Sequence, residues 1–144
     1  MPAIWKEMPH FALTLPDRPG ELAHFMAQLR DAGISLMGLW GYGVAGRSEG
    51  SNLTRIACVP ESPESFRLFF KPAGLHIEEG RVFFLSDLDR RGALVETLRK
   101  VADAGINVDS IECVVTGDRF GCFLWPDEGQ FDALRKLLME GQKG

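Results

Sequence analysis

The sequence lacks any apolar run near the ~20 residues needed to span a bilayer. Its opening, MPAIWKEMPH, has neither the cationic start nor the apolar core of a secretory signal. Both absences predict a cytoplasmic protein with no membrane association. Cysteine is scarce and odd in number, three in 144 residues with no C-x-x-C pair, which predicts reduced thiols in a cytosol. Neither sign of charge dominates. Sixteen Lys and Arg against twenty Asp and Glu leave a net charge of −4, which argues against nucleic acid as a partner. His10, His24 and His76 show no metal-ligand spacing, and no Ser/His/Asp or Cys/His set suggests a nucleophile. No metal, cofactor or catalytic residue is therefore expected. What is present, 45% hydrophobic and 25% charged residues, is ordinary for a soluble globular chain of one domain or two small ones.

The chain repeats itself. At an offset of 72 residues, Asp17–Leu22 (DRPGEL) lies over Asp89–Leu94 (DRRGAL), and the string DAGI at Asp31–Ile34 recurs at Asp103–Ile106. Phe11 falls on Phe83, Leu13 on Leu85 and Leu36 on Val108. Each copy reads alike. Alternation over His10–Leu15 predicts a half-buried strand, and Leu22, Phe25, Met26 and Leu29 then recur at helical spacing until Gly33. In copy two the stripe is Leu94, Leu98, Val101 and Ala102, stopped by Gly105. Two strands joined by a turn follow, Ile34–Val44 with Asn52–Val59, and Ile106–Thr116 with Arg119–Trp125 around the hairpin signal Gly117-Asp118. A second helix comes next, marked by Phe66, Phe69 and Phe70 in one copy and by Phe131, Leu134, Leu137 and Leu138 in the other. Leu75–Glu79 reads as a further short strand. The order βαββα plus one strand predicts an α+β chain of two ferredoxin-like units, 1–79 and 80–144, with antiparallel sheets and both helices on one face. Copy two has no sequence left for a closing strand. Ala3–Glu7 falls on Leu75–Glu79 at the same offset, so residues 3–7 are predicted to close the sheet of unit two or of a partner chain.

The first copy's LTLPDRPGELAHFMAQLRDAGISLMGL closely resembles the ACT domain, a ligand-sensing module built on a strand, a D-R-P-G-x-L loop, an amphipathic helix and a Gly-Ile-Asn-Ile-like stretch. Copy two keeps Asp89, Arg90, Gly92 and Leu94, with Arg91 in place of the proline. The resemblance spans both halves of the chain. It implies a tandem regulatory protein, not an enzyme, that holds a small molecule, typically an amino acid, between one domain's loop and the neighbouring domain's second strand. The loop has its own physics. Pro19 presets a helical φ, Gly20 removes a side chain, and the first helix N–H groups face a ligand with the positive dipole end behind them. Candidate ligand-binding residues are Asp17, Pro19, Gly20, Glu21, Leu22 and Ser35 in copy one, with Asp89, Arg91, Gly92 and Asn107 in copy two. Asp17 and Asp89 have two roles open, accepting from an ammonium or capping a helix. Arg91 either crowds its site or binds a carboxylate. A separate metabolic enzyme as partner is the alternative implied by family analogy.

Other patterns carry less. Gly41-Tyr42-Gly43-Val44-Ala45-Gly46 matches G-x-G-x-x-G, but no helix pattern follows, so a dinucleotide site is not expected and the glycines serve a strand. Arg119–Phe123 resembles part of an RNA-recognition motif, yet copy two has nine Lys and Arg against eleven Asp and Glu, so its aromatics are expected to pack. Cys113 and Cys122 face each other if Gly117-Asp118 is the turn, and are expected to be small core residues. Val82, Phe84, Phe123 and Trp125 leave a second sheet face apolar, which predicts a cover such as a homodimer.

Overall fold

Trp5, Phe11, Leu13 and Leu15 share one side of an extended chain because side chains alternate along a strand. In the computed structural model, which describes residues 4–43, 53–73 and 77–140, they belong to one strand, β1 (Ile4–Pro16). The strands expected at 3–7 and 10–15 are thus a single element. There follow α1 (Glu21–Asp31), β2 (Leu36–Gly43), β3 (Leu53–Pro60), α2 (Pro63–Phe70), β4 (Glu78–Leu88), α3 (Val95–Asp103), β5 (Val108–Thr116), β6 (Arg119–Pro126) and α4 (Phe131–Glu140). Of the strand expected at 75–79, residues 75 and 76 lie outside the described residues and Glu78–Glu79 open β4.

The chain divides into two compact units, Pro9–Gly80 and Met1–Met8 with Arg81–Gly144. The division runs through β1 and β4, so each strand gives its two parts to different units. Residues 4–8 group with the C-terminal half. In the N-terminal unit the strand order is β2-β3-β1-β4, and in the C-terminal unit β5-β6-β4-β1. Both runs are compatible with a ferredoxin-like unit. The ladders of β1 with β3, β2 with β3, β4 with β6 and β5 with β6 are antiparallel. Pro9, which has no N–H to donate, stands just before the ladder to β3 begins at Phe11.

Each unit has its own core on the helix-bearing sheet face. In the N-terminal unit Phe25 and Leu29 of α1 and Phe66 and Phe70 of α2 cluster with Phe11, Leu13, Ile56 and Cys58. In the C-terminal unit Val101 of α3 and Leu134 and Leu138 of α4 cluster with Phe83, Leu85, Phe120, Cys122, Leu124 and Trp5. Phe120 is therefore a packing residue. Two expected stripes are narrower than their spacing suggests. Leu22 and Met26 are exposed, and in copy two Ala102 is exposed while Leu94 precedes the helix as its N-cap. On the opposite sheet face Val82 and Phe123 are already buried within the chain, and the Phe123 ring lies 4.8 Å from Phe84 and 6.2 Å from Trp125. That face needs less outside cover than its sequence implies.

An ion-pair arrangement repeats with the fold. In the C-terminal unit Arg135 of α4 bonds Asp132 one turn back (2.8 Å) and Glu7 of β1 (2.7 Å), and Arg81 also reaches Glu7 (3.0 Å). In the N-terminal unit Arg67 of α2 bonds Glu64 (2.6 Å) and Glu79 of β4. Each second helix is thereby tied to its unit's closing strand. Hydrogen bonding from Arg135, opposed by burial and aided by the charges of Arg135 and Arg81, holds the Glu7 carboxyl below its ordinary value. Arg67 acts likewise on Glu79. A carboxyl lowered by folding stabilises the fold above its unfolded value, near 4.3 for glutamate, and that stability is lost as pH falls through the folded value. The melting temperature of the wild type is expected to fall with acidification below that range, and Glu7→Gln to flatten part of the fall. Parallel wild-type and Glu7→Gln pH profiles would contradict the assignment.

Candidate functional site

A cleft in the N-terminal unit lies where β1 ends and α1 begins. Its volume is about 260 Å³, and Leu15, Pro16, Asp17, Arg18, Glu21, Leu22, Gly41, Thr54 and Ile56 line it. That is smaller than a pocket for a drug-sized ligand. The chain reaches α1 through Gly20, whose φ of 92° belongs to the left-handed region that glycine alone enters freely. Gly20 is the N-cap, without a side-chain cap bond, and Leu94 is the N-cap of α3, also without one. Asp17 and Asp89 are therefore not the helix caps, because each helix starts several residues further on.

Arg18 closes back on the helix, its Nε donating to Glu21 Oε1 at 2.7 Å while its carbonyl accepts from the Glu21 amide at 3.3 Å. The amides of the rest of the first turn follow at the positive end of α1. The Arg18–Glu21 ion pair and Asp17 thus line the cleft beside the start of α1. Its apolar wall is Leu15, Leu22 and Ile56. Its floor depends on Gly41, since a Cβ there would stand 2.7 Å from Ile56 Cδ1 and 3.9 Å from Thr54 Cγ2.

Of the ten sequence candidates, Asp17, Glu21 and Leu22 line this cleft, and Pro19 and Gly20 shape the chain between them. Ser35 lies at the other end of α1, where its carbonyl accepts from the Glu61 amide at 2.9 Å. Asn107 is engaged near the start of α4. Its side-chain amide donates to Asp127 Oδ2 and its backbone N–H to Gln130 Oε1, both at 2.9 Å. Asp89, Arg91 and Gly92 are exposed on the copy-two loop, where the Asp89 amide donates to the Asp118 carbonyl at 2.8 Å. The sequence candidates omitted Gly41 and Thr54. The signal was a glycine inside a strand, which marks close approach, but only register shows that Gly41 pairs with Ile56.

Register also compares the copies. Leu13, Ile56 and Gly41 lie in line across the N-terminal sheet, and Leu85, Cys122 and Cys113 in the C-terminal one. Cys113 therefore stands where the cleft has Gly41, Phe120 where it has Thr54, and Ala93 where it has Glu21. The open, polar floor is not repeated. Helix α3 also starts at Val95, two residues later than the repeat places it, with Arg91 in the proline's position. Among the described residues no three His, Cys, Asp or Glu side chains gather to hold a metal ion, and no helix is long and apolar enough to cross a membrane.

The fold is that of two ferredoxin-like units. Solved structures share it along nearly the whole chain. A protein from Bacteroides thetaiotaomicron matches with a TM-score of 0.77 at 15% identity, over 96% of this chain and 90% of that one. The ligand-free regulatory subunit of aspartate kinase from Thermus thermophilus matches with a TM-score of 0.58 at 18% identity, over 96% and 95%. Aspartate kinase from Synechocystis matches with a TM-score of 0.57 at 19% identity, over 95% of this chain and 26% of the longer enzyme. No family model matches the sequence, and no curated protein matches it.

Proposed function

We propose that the protein is a non-catalytic tandem ACT regulator that binds a free amino acid in the cleft of its N-terminal unit. The observation that carries this reading is the pairing of opposite charges in one small cleft. A zwitterion's carboxylate suits the α1 N-terminus and Arg18, while its ammonium suits Asp17 and Glu21. Leu15, Leu22 and Ile56 would receive an apolar or short side chain. Copy two is the structural partner, because Cys113, Phe120 and Ala93 replace the residues that open and charge the cleft. A thermal-shift screen of free amino acids tests the proposal, since a ligand of the folded state raises the melting temperature.

A second reading, in which the chain is the regulatory subunit of a separate metabolic enzyme, is favoured by the Thermus thermophilus protein, which matches end to end and is such a subunit. Co-purification of a catalytic chain with tagged protein from its own cells would select it. We also infer a homodimer. The edge strand β2 has one strand neighbour among the described residues, which invites a second copy. Sedimentation at micromolar concentration is expected to give a dimer. A monomer at every concentration would refute this.

A further inference from the structure

The C-terminal unit carries a chemistry that the N-terminal unit lacks. Cys113 of β5 and Cys122 of β6 are direct cross-strand partners. The hairpin between them is closed by Gly117-Asp118, with Gly117 at a φ of 63°. Counting out from that two-residue turn, Thr116–Arg119 is a hydrogen-bonded pair, so 113–122 is a non-hydrogen-bonded one. Partners of that class lie about 4.5 Å apart at Cα, within the span a disulfide bridges. Both side chains point to the helix-bearing face, since Cys122 is in the core cluster with Leu85 and Leu124. Their exposures differ. Cys113 is exposed on an edge strand and Cys122 is fully buried. Burial, and then the neighbouring Cys113, push the Cys122 thiol up to about 12. Cys58, the third cysteine, is buried in the other unit, where burial alone raises it to about 12.

We propose that Cys113 and Cys122 are a reversible dithiol–disulfide pair, with Cys113 the entry point for a low-molecular-weight disulfide. The Cys113 thiolate attacks one sulfur of the oxidant RSSR, forming a mixed disulfide and releasing RS⁻. The Cys122 sulfur then attacks Cys113, its proton leaving with the second RS⁻. The sum is two protein thiols and RSSR giving one protein disulfide and two RSH, so the protein loses two electrons and the oxidant gains them. The geometry favours closure over a lasting adduct because the second sulfur already faces the first. The bond would staple the edge strand β5 to β6 at the place that corresponds to the floor of the N-terminal cleft. This pair stands independently of the amino-acid reading, since its readout is thiol chemistry.

The test is incubation of the whole protein with excess oxidised glutathione, acid quenching, unfolding and thiol counting, with mass spectrometry of intact protein and peptides. The expected result is the loss of two of the three thiols, a mass lower by two hydrogens and a 113–122 linkage that dithiothreitol reverses. Slower hydrogen exchange along β5 in the oxidised form should accompany it. Cys113→Ser, an exposed substitution that leaves the core intact, should keep both remaining thiols free. A glutathione adduct that persists on Cys113, a covalent dimer through Cys113, a linkage involving Cys58 or three free thiols would each overturn the proposal.

Discussion

Replacing Trp5 by alanine is expected to cost about 3–5 kcal/mol, the range for emptying a buried aromatic site. That is a large part of the roughly 5–15 kcal/mol that holds a typical domain folded. Trp5 is 5% exposed and belongs to the core with Phe83, Leu85, Leu134 and Leu138, although more than seventy residues separate it from them in sequence. Deleting residues 1–7 should do more, because it also removes Glu7 from Arg135 and Arg81. Arg135 is only one-third exposed, so it would lose its strand partner in a partly desolvated position. Hydrogen exchange gives the spatial pattern. Protection along β6 and α4 should fall further than along β3 and α2. Unchanged protection of β6 and α4 in the truncated protein would show that the first strand does not close the C-terminal sheet.

The second large effect is expected at Gly41. Valine suits a strand, but its Cβ would stand 2.7 Å from Ile56 Cδ1 and push that side chain or its own methyl groups into the cleft. Ligand affinity should fall by at least about tenfold, equivalent to 1.4 kcal/mol, while circular dichroism stays that of the wild type. Gly20→Val is a less clean variant. A Cβ at Gly20 meets nothing within 4 Å, but the φ of 92° strains any other residue there, so lost binding would be mixed with a distorted helix start. Gly41→Val separates the two. An undiminished affinity would place the ligand elsewhere.

Much of this fold was legible in the sequence because its signals are local. DRPGEL and DRRGAL mark two strand-to-helix turns, and the period-two and period-3.6 patterns give the elements. The register of Cys113 on Cys122 followed from a two-residue turn. What stayed hidden depends on pairs distant in sequence. Nothing in the alternation of His10–Leu15 shows that the strand begins at Ile4. Nothing local tells that Leu22 and Met26, at core spacing, stay exposed at the margins of a helix that buries only Phe25 and Leu29. Ser35 and Asn107 hold equivalent motif positions just after the helix–strand glycines, yet the fold sets Ser35 at the far end of α1 from the cleft. Gly41 and Thr54 come to the cleft from two other strands, a juxtaposition that needs the sheet register.

Amino-acid binding in the cleft is tested by the melting temperature of the wild type and Gly41→Val measured against each standard amino acid, up to saturation. At a concentration near 100 times Kd a single-site ligand adds about 2.7 kcal/mol, which for a small domain is a rise of several degrees. At least one amino acid should give such a rise in the wild type, the corresponding amine and the corresponding carboxylic acid alone should not, and Gly41→Val should lose it. No shift with any amino acid, or an equal shift in Gly41→Val, would contradict binding in the cleft.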